Sequence, residues 1–143
     1  MNPRHWLMVS LLALAAPAFA DDDDHWDDQF GAPGTDLMVM TIATNGNYVY
    51  VGGQFTLAGN AVTQGIARWD GANWSSIGGI SGPIPIVYSI ISHGPDVYVS
   101  GYFTNVGGVP AKSIARWNGQ SWSALGGGVN GLAVSMVFMG NDL

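Results

Sequence analysis

Cysteine is absent from the 143 residues, so the chain forms no disulfide, offers no thiol nucleophile and has no cysteine to carry a lipid anchor. An exported fold built from it must hold by packing alone. Glutamate is missing as well: all 10 acidic residues are aspartates, and the basic residues are only Arg4, Arg68, Lys112 and Arg116. Four scattered cations make no basic stripe, which excludes a nucleic-acid partner that would need its phosphates neutralised. Charged residues amount to 10% against a usual share of about 25%. That is too few for a coiled coil or a disordered tail. What is plentiful is apolar and small: 48% hydrophobic residues, 21 glycines and six tryptophans. The mixture suits short strands and tight turns, in a chain long enough to bury a core.

Residues 1–20 read as a secretory signal peptide. Arg4 and His5 form a short basic start, residues 6–16 an apolar run, and Ala18-Phe19-Ala20 the small-x-small pattern that a signal peptidase accepts. The competing reading is a membrane anchor, but the run is only about half the roughly 20 residues that a span needs. Asp21 is the expected mature N-terminus and the expected location is secreted: periplasmic, extracellular or cell-surface. Removal of the signal takes away Arg4 and no acid, leaving the mature chain more acidic than its formal charge of −6. Residues 21–35 form an acidic leader that opens with DDDDHWDD. A cation site would need the alternating spacing and glycine turn of a calcium loop. Adjacent carboxylates instead predict a self-repelling, solvated stretch, with His25 as a bystander.

The rest of the chain is a repeat. Residues 36–83 align with residues 84–131 at an offset of 48 without a gap, and 19 of the 48 positions coincide, which dictates the fold before any local signal does. Tyr48-Val49-Tyr50-Val51-Gly52-Gly53-Gln54-Phe55-Thr56 lies over Asp96-Val97-Tyr98-Val99-Ser100-Gly101-Tyr102-Phe103-Thr104. Ile66-Ala67-Arg68-Trp69 recurs as Ile114-Ala115-Arg116-Trp117, and Trp74 as Trp122. Residues 132–143 match the opening of a third repeat.

Within a repeat, four short apolar stretches alternate with turn residues, as in consecutive antiparallel strands. In repeat 1 these are residues 37–43, 48–53, 66–69 and 72–77, with a Gly-, Asn- and Thr-rich linker at 56–65. Asp70-Gly71, recurring as Asn118-Gly119, predicts a two-residue hairpin. Its register pairs Trp69 with Ala72 and Ala67 with Trp74. Both tryptophans then share one face, with Ile66, Arg68 and Ser75 on the other. A sheet with large groups on both faces needs a neighbour on each side. Gly52-Gly53 and Gly78-Gly79 mark close backbone approaches or sharp turns rather than a phosphate loop, since no helical period follows them.

The pattern YVGG-F-T, IARW-[DN]-G and W-S-x-[IL]-GG resembles the kelch-like and Rax2-like β-propeller repeats of secreted and cell-surface proteins. Residues 26–34 (WDDQFGAPG) are similar to the lead-in before the first such repeat, so the likeness runs over residues 26–143. It implies four-stranded blades, with Gly53, Phe55, Arg68, Trp69, Asp70, Gly71 and Trp74 as structural residues of one repeat and Gly101, Phe103, Arg116, Trp117, Asn118, Gly119 and Trp122 as their counterparts. The expected fold is all-β: a partial propeller of about two four-stranded antiparallel blades plus the start of a third. Because propellers close with about four to eight blades, the chain is expected to be the front portion of a longer product.

Catalytic chemistry finds little foothold. Arg68 and Arg116 are either ligand contacts, one per repeat, or structural groups bonded to carbonyls or an Asp and stacked on a Trp. Asp70-Gly71-Ala72-Asn73-Trp74 matches the Asp-box turn of sialidase-type propellers poorly, with Arg68 where a hydroxyl residue belongs. His5, His25 and His93 are scattered, with no second His at metal spacing and no Ser or Cys nucleophile to complete a triad. No carboxylates fall at matching strand positions for an acid and base pair. Oxidase chemistry of the galactose-oxidase type would demand the missing cysteine. The expected function is a noncatalytic exported scaffold or interaction module without a cofactor. Its loops at 56–65 and 105–112 would contact a protein or glycan, and its unpaired edges would allow self-association. The alternative is the front end of a glycan-active propeller hydrolase or oxidase with catalytic residues beyond Leu143.

Overall fold

The computed structural model describes residues 34–143. The expected signal peptide, and all but the last two residues of the acidic leader, lie outside the described residues. Within them the chain is all-β, with no helix. The first repeat contributes β1 (Met38–Asn45), β2 (Tyr48–Gln54), β3 (Leu57–Ala58), β4 (Ala61–Val62), β5 (Ile66–Trp69), β6 (Trp74–Ser75) and β7 (Ile80–Ser81). The second contributes β8 (Ile86–His93), β9 (Asp96–Tyr102), β10 (Asn105–Val106), β11 (Val109–Pro110), β12 (Ile114–Trp117) and β13 (Trp122–Ala124). Each repeat forms a four-stranded antiparallel sheet, ordered β1-β2-β5-β6 in the first and β8-β9-β12-β13 in the second.

The two linkers are not plain loops. Residues 56–65 fold into the hairpin β3-β4, and the corresponding stretch into β10-β11. β10 also pairs with β7, so the tail of the first repeat is stitched to the second. An isolated bridge between Thr35 and Ala58 lays the preceding residues on β3 in a similar way.

Both sheets carry a bulge where β1 and β8 meet their partners, between Val39 and Thr41 and between Val87 and Ser89. A bulge pushes backbone toward the opposing strand, and Gly53 and Gly101 receive it. A β-carbon there would collide with the Met38 or the Ile86 carbonyl. This is the close approach expected of these glycines.

The hairpin expected at Asp70-Gly71 differs from the prediction. Trp69 pairs with Trp74 and Arg68 with Ser75, so the connection is four residues long rather than two. Trp117 likewise pairs with Trp122. The reason is a side-chain acceptor: Asp70 Oδ1 takes the amides of Ala72 (2.9 Å) and Asn73 (2.7 Å), and Asn118 Oδ1 those of Gln120 (2.9 Å) and Ser121 (2.8 Å). This bonding of Asp or Asn to amides two and three residues on builds a wider turn. Gly71 (φ 97°) and Gly119 (φ 94°) supply its left-handed residue. A shift of two residues keeps every side chain on its face, so the two tryptophans of each sheet share a face as predicted.

Register defines two faces per sheet. In the first, Val39, Ile42, Val51, Ala67, Trp69 and Trp74 lie on what we term the leading face; Thr41, Ala43, Tyr50, Ile66 and Arg68 lie on the trailing face. The leading face of the second sheet (Val87, Ile90, Val97, Val99, Ala115, Trp117, Trp122) packs with Tyr50 and Ile66 of the first into one continuous core. Gly52 makes the room: a β-carbon there would meet Val87 Cγ1 and Ile90 Cδ1. Polar bonds tie the same seam, since Ile90 N donates to Thr41 Oγ1 (3.1 Å), Ser92 Oγ to Thr44 O (2.8 Å) and Asn45 Nδ2 to the carbonyls of Gly94 and Asp96.

Beyond β13 the chain lies along the trailing face of the second sheet. Ala133 N donates to Gly101 O (3.2 Å), and the Phe138 ring stacks on His93 (4.2 Å between centroids) and meets Tyr98 edge-on. Residues 132–138, expected to open a third repeat, form no regular strand. Met139 and Asp142 nevertheless bridge around Gly140-Asn141, as Asn45 and Tyr48 do in the first sheet and His93 and Asp96 in the second.

Candidate interaction surface

The repeated arginines, one per sheet, are engaged differently because the residue two places before their partner on the adjacent strand differs. Arg116 Nε lies 2.8 Å from Asp96 Oδ2, and pairing with this carboxylate raises the guanidinium above its ordinary pKa. Repeat 1 has Tyr48 at that position, and the Arg68 guanidinium sits 4.3 Å from the centre of its ring, a cation–π contact. The expected partner of such an arginine included an Asp or a Trp; the Asp is found at Arg116, and Tyr takes the place of Trp at Arg68.

Asp36 and Asp70 instead serve the backbone. Asp36 accepts from Thr56 Oγ1 (2.6 Å) and from the amides of Thr56 (2.8 Å) and Leu57 (2.9 Å). These bonds, the Thr56 hydroxyl first, hold its pKa below the ordinary carboxylate value. The amides of Asn73 and then Ala72 do the same for Asp70. His93, expected in a turn, closes β8 and is spent on stacking with Phe138. Among the described residues no three His, Cys, Asp or Glu side chains gather where they could hold a metal ion.

The hairpins expected to carry contacts are held at their turns. Gly59 N donates to Gly34 O (3.0 Å) and Gly107 N to Gly79 O (3.0 Å). Phe55 and Phe103 anchor each hairpin in the core, while Leu57 and Val62 stay exposed on the first. Trp122 locks the second from beneath: its indole nitrogen donates to Ile77 O, and its ring lies where a β-carbon on Gly107 would go.

One surface the sequence reasoning passed over is the leading face of the first sheet. Val39 and Ile42 are 42% and 65% exposed, whereas Val87 and Ile90, the same residue types at the same repeat positions, are 0% and 4% exposed. Leu37, Met38 and Met40, in the same stretch of chain, are exposed as well. The signal was the repeat alignment itself, which sets Val39 and Ile42 over Val87 and Ile90; Val51 and Ala67 of the same face are buried in a small cluster with Phe55 and Ala58. Residues 132–143 expose a second apolar set, Leu132, Val134, Val137 and Met139. Among the described residues no helix is long and apolar enough to cross a membrane. Set against protein-family models, curated proteins and solved structures, the chain finds a match in none of the three.

Proposed function

We propose that this protein is a noncatalytic, exported scaffold or interaction module whose four-stranded sheets are blades of a kelch-like β-propeller. The observation that carries the proposal is the seam between the two sheets. One sheet design is used twice, and the leading face of the second is buried on the trailing face of the first through a continuous core. Stacking of like sheets is what propellers use to cover both faces of each blade. The fate of the polar groups supports a scaffold rather than an enzyme: Asp36, Asp70, Asp96, Arg68, Arg116 and His93 all serve turns, strands or stacking. The hairpins at 57–62 and 105–110 are the elements offered for contact with a protein or glycan, since binding residues tend to sit on loops positioned by a rigid frame.

The test is a binding screen of the secreted protein against a glycan array and purified exported proteins, repeated with Leu57→Asp and Val62→Asp. A module of this kind loses at least about tenfold in affinity for its ligand in these variants, with an unchanged melting temperature. Turnover of a glycan, read as new reducing ends or as peroxide, would instead establish the enzyme alternative. Export is read separately, by mass spectrometry of the secreted chain, which should begin at Asp21.

A further inference from the structure

The sequence holds three Asn-Gly pairs: Asn45-Gly46, Asn118-Gly119 and Asn130-Gly131. Asparagine before glycine is prone to spontaneous deamidation, because glycine has no β-carbon to hinder the approach of its amide nitrogen to the asparagine side chain. All three glycines face open space, so access does not separate the pairs; the asparagine side chain does. Asn45 is half-buried, and its Nδ2 donates across the seam to Gly94 O (3.2 Å) and Asp96 O (3.1 Å). Asn118 Oδ1 accepts the amides of Gln120 and Ser121. Asn130 and Gly131 are exposed and lie outside any strand, and among the described residues the Asn130 side chain makes no hydrogen bond. The nearest bonds, from Val129 N to Lys112 O (2.9 Å) and from Ser113 Oγ to Gly131 O (2.6 Å), engage neighbouring atoms and leave the Asn130 carboxamide and the Gly131 amide nitrogen able to meet.

We propose that Asn130-Gly131 is a site of spontaneous deamidation, and that the fold protects the other two pairs. The Gly131 nitrogen, its proton lost to hydroxide, attacks Cγ of Asn130. The carboxamide C–N bond breaks, ammonia leaves with a proton taken from water, and a cyclic imide joins the two residues. Water then opens the imide at one carbonyl or the other, giving aspartate or isoaspartate at position 130. Water is the only co-reactant, and nothing is oxidised or reduced. At Asn45 and at Asn118 two hydrogen bonds must first be given up, which slows ring closure by about tenfold or more. The product adds a negative charge, and in the isoaspartyl form an extra main-chain methylene, just before the segment that lies along the trailing face of the second sheet. The reaction uses no residue of the hairpins at 57–62 and 105–110, so it proceeds whether or not they bind a ligand.

Incubation of the purified chain at mildly alkaline pH, followed by peptide mass mapping and an isoaspartate assay, tests it. The same incubation in urea gives the unfolded reference, in which all three asparagines precede a glycine and are equally untethered. In the native chain Asn130 should convert at least about tenfold faster than Asn45 and Asn118. In urea the three rates should fall within about threefold of one another. Asn130→Gln, a change at an exposed position, should leave the melting temperature unchanged and remove the acidic species that the native chain accumulates. Conversion of Asn45 or Asn118 as fast as Asn130 in the native chain overturns the proposal, as does a native chain in which all three asparagines outlast the urea reference. A tenfold preference for Asn130 that persists in urea overturns it too, since protection would then lie in the sequence and not in the fold.

Discussion

At the scale of single residues, the two copies of the repeat act as an internal control on burial. Trp117 and Trp122 are 8% and 7% exposed and face each other at 5.2 Å, whereas Trp69 and Trp74, paired at 5.3 Å, are only half-buried. Identical side chains in identical pairs thus carry different weights. Trp117→Ala or Trp122→Ala should destabilise by about 3–5 kcal/mol, and Trp69→Ala by clearly less, as chemical denaturation will show. The aliphatic positions give the same contrast: Ile90→Ala should cost about 2–5 kcal/mol, and Ile42→Ala in the isolated chain no more than about 0.5 kcal/mol.

Charge at this scale acts through the turns. Asp36 and Asp70 have folded pKa values below their ordinary ones because amides and a hydroxyl bond the ionised carboxylate. The stability they contribute is therefore complete above the unfolded value, near pH 4, and is lost as pH falls through the folded values. Asp70→Asn keeps the acceptor, as Asn118 does in the second repeat. It should leave the melting temperature at pH 7 nearly unchanged and flatten its decline in acid, whereas Asp70→Ala should lower it at both ends. A melting series from pH 7 to pH 3 on the three proteins separates these outcomes.

At the scale of elements, alternation alone placed the strands well. The third stretch, Ile66–Trp69, coincides with its strand, and the second, expected over 48–53, runs one residue further. Turn length was harder to read. Asp-Gly and Asn-Gly are the residues of a two-residue hairpin, yet the Asp and Asn side chains here reach forward to two amides and open the loop to four residues. Sequence states that a turn exists; which acceptor wins its amides depends on where the strands beyond it settle. The bulges were illegible for the same reason, because an extra residue such as Met40 or Tyr88 shows only once a partner strand is laid beside it. Gly53 and Gly101 were legible because only glycine tolerates a carbonyl in that space. Gly101→Ala should destabilise by at least about 1–3 kcal/mol. Tyr102→Gln, which installs at a partly exposed strand end the residue type that Gln54 supplies in the first repeat, should be nearly silent by thermal melting.

At the scale of the whole molecule, one core runs through both sheets, from Tyr50 and Ile66 to Trp117 and Trp122, while Val51, Phe55, Ala58 and Ala67 form a smaller second cluster. A shared core couples neighbours in a repeat array. Calorimetry should therefore show a single transition, with calorimetric and van't Hoff enthalpies that agree. Filling the notch between the sheets with Gly52→Val should break that coupling and split the transition, because Val87 and Ile90 already occupy the space.

The order of side chains along the chain was enough to dictate the class and the repeat: all-β character, the strand order within each repeat, the shared face of the tryptophans and the sites where only glycine fits. These follow from side-chain periodicity and backbone sterics, which act between residues close along the chain. Turn length and bulge position, the partner that each arginine takes, and which copy of a repeated apolar face is buried were settled by the three-dimensional packing alone. Those outcomes depend on what lies opposite a residue in space, and two copies of one sequence meet different surroundings in the same molecule.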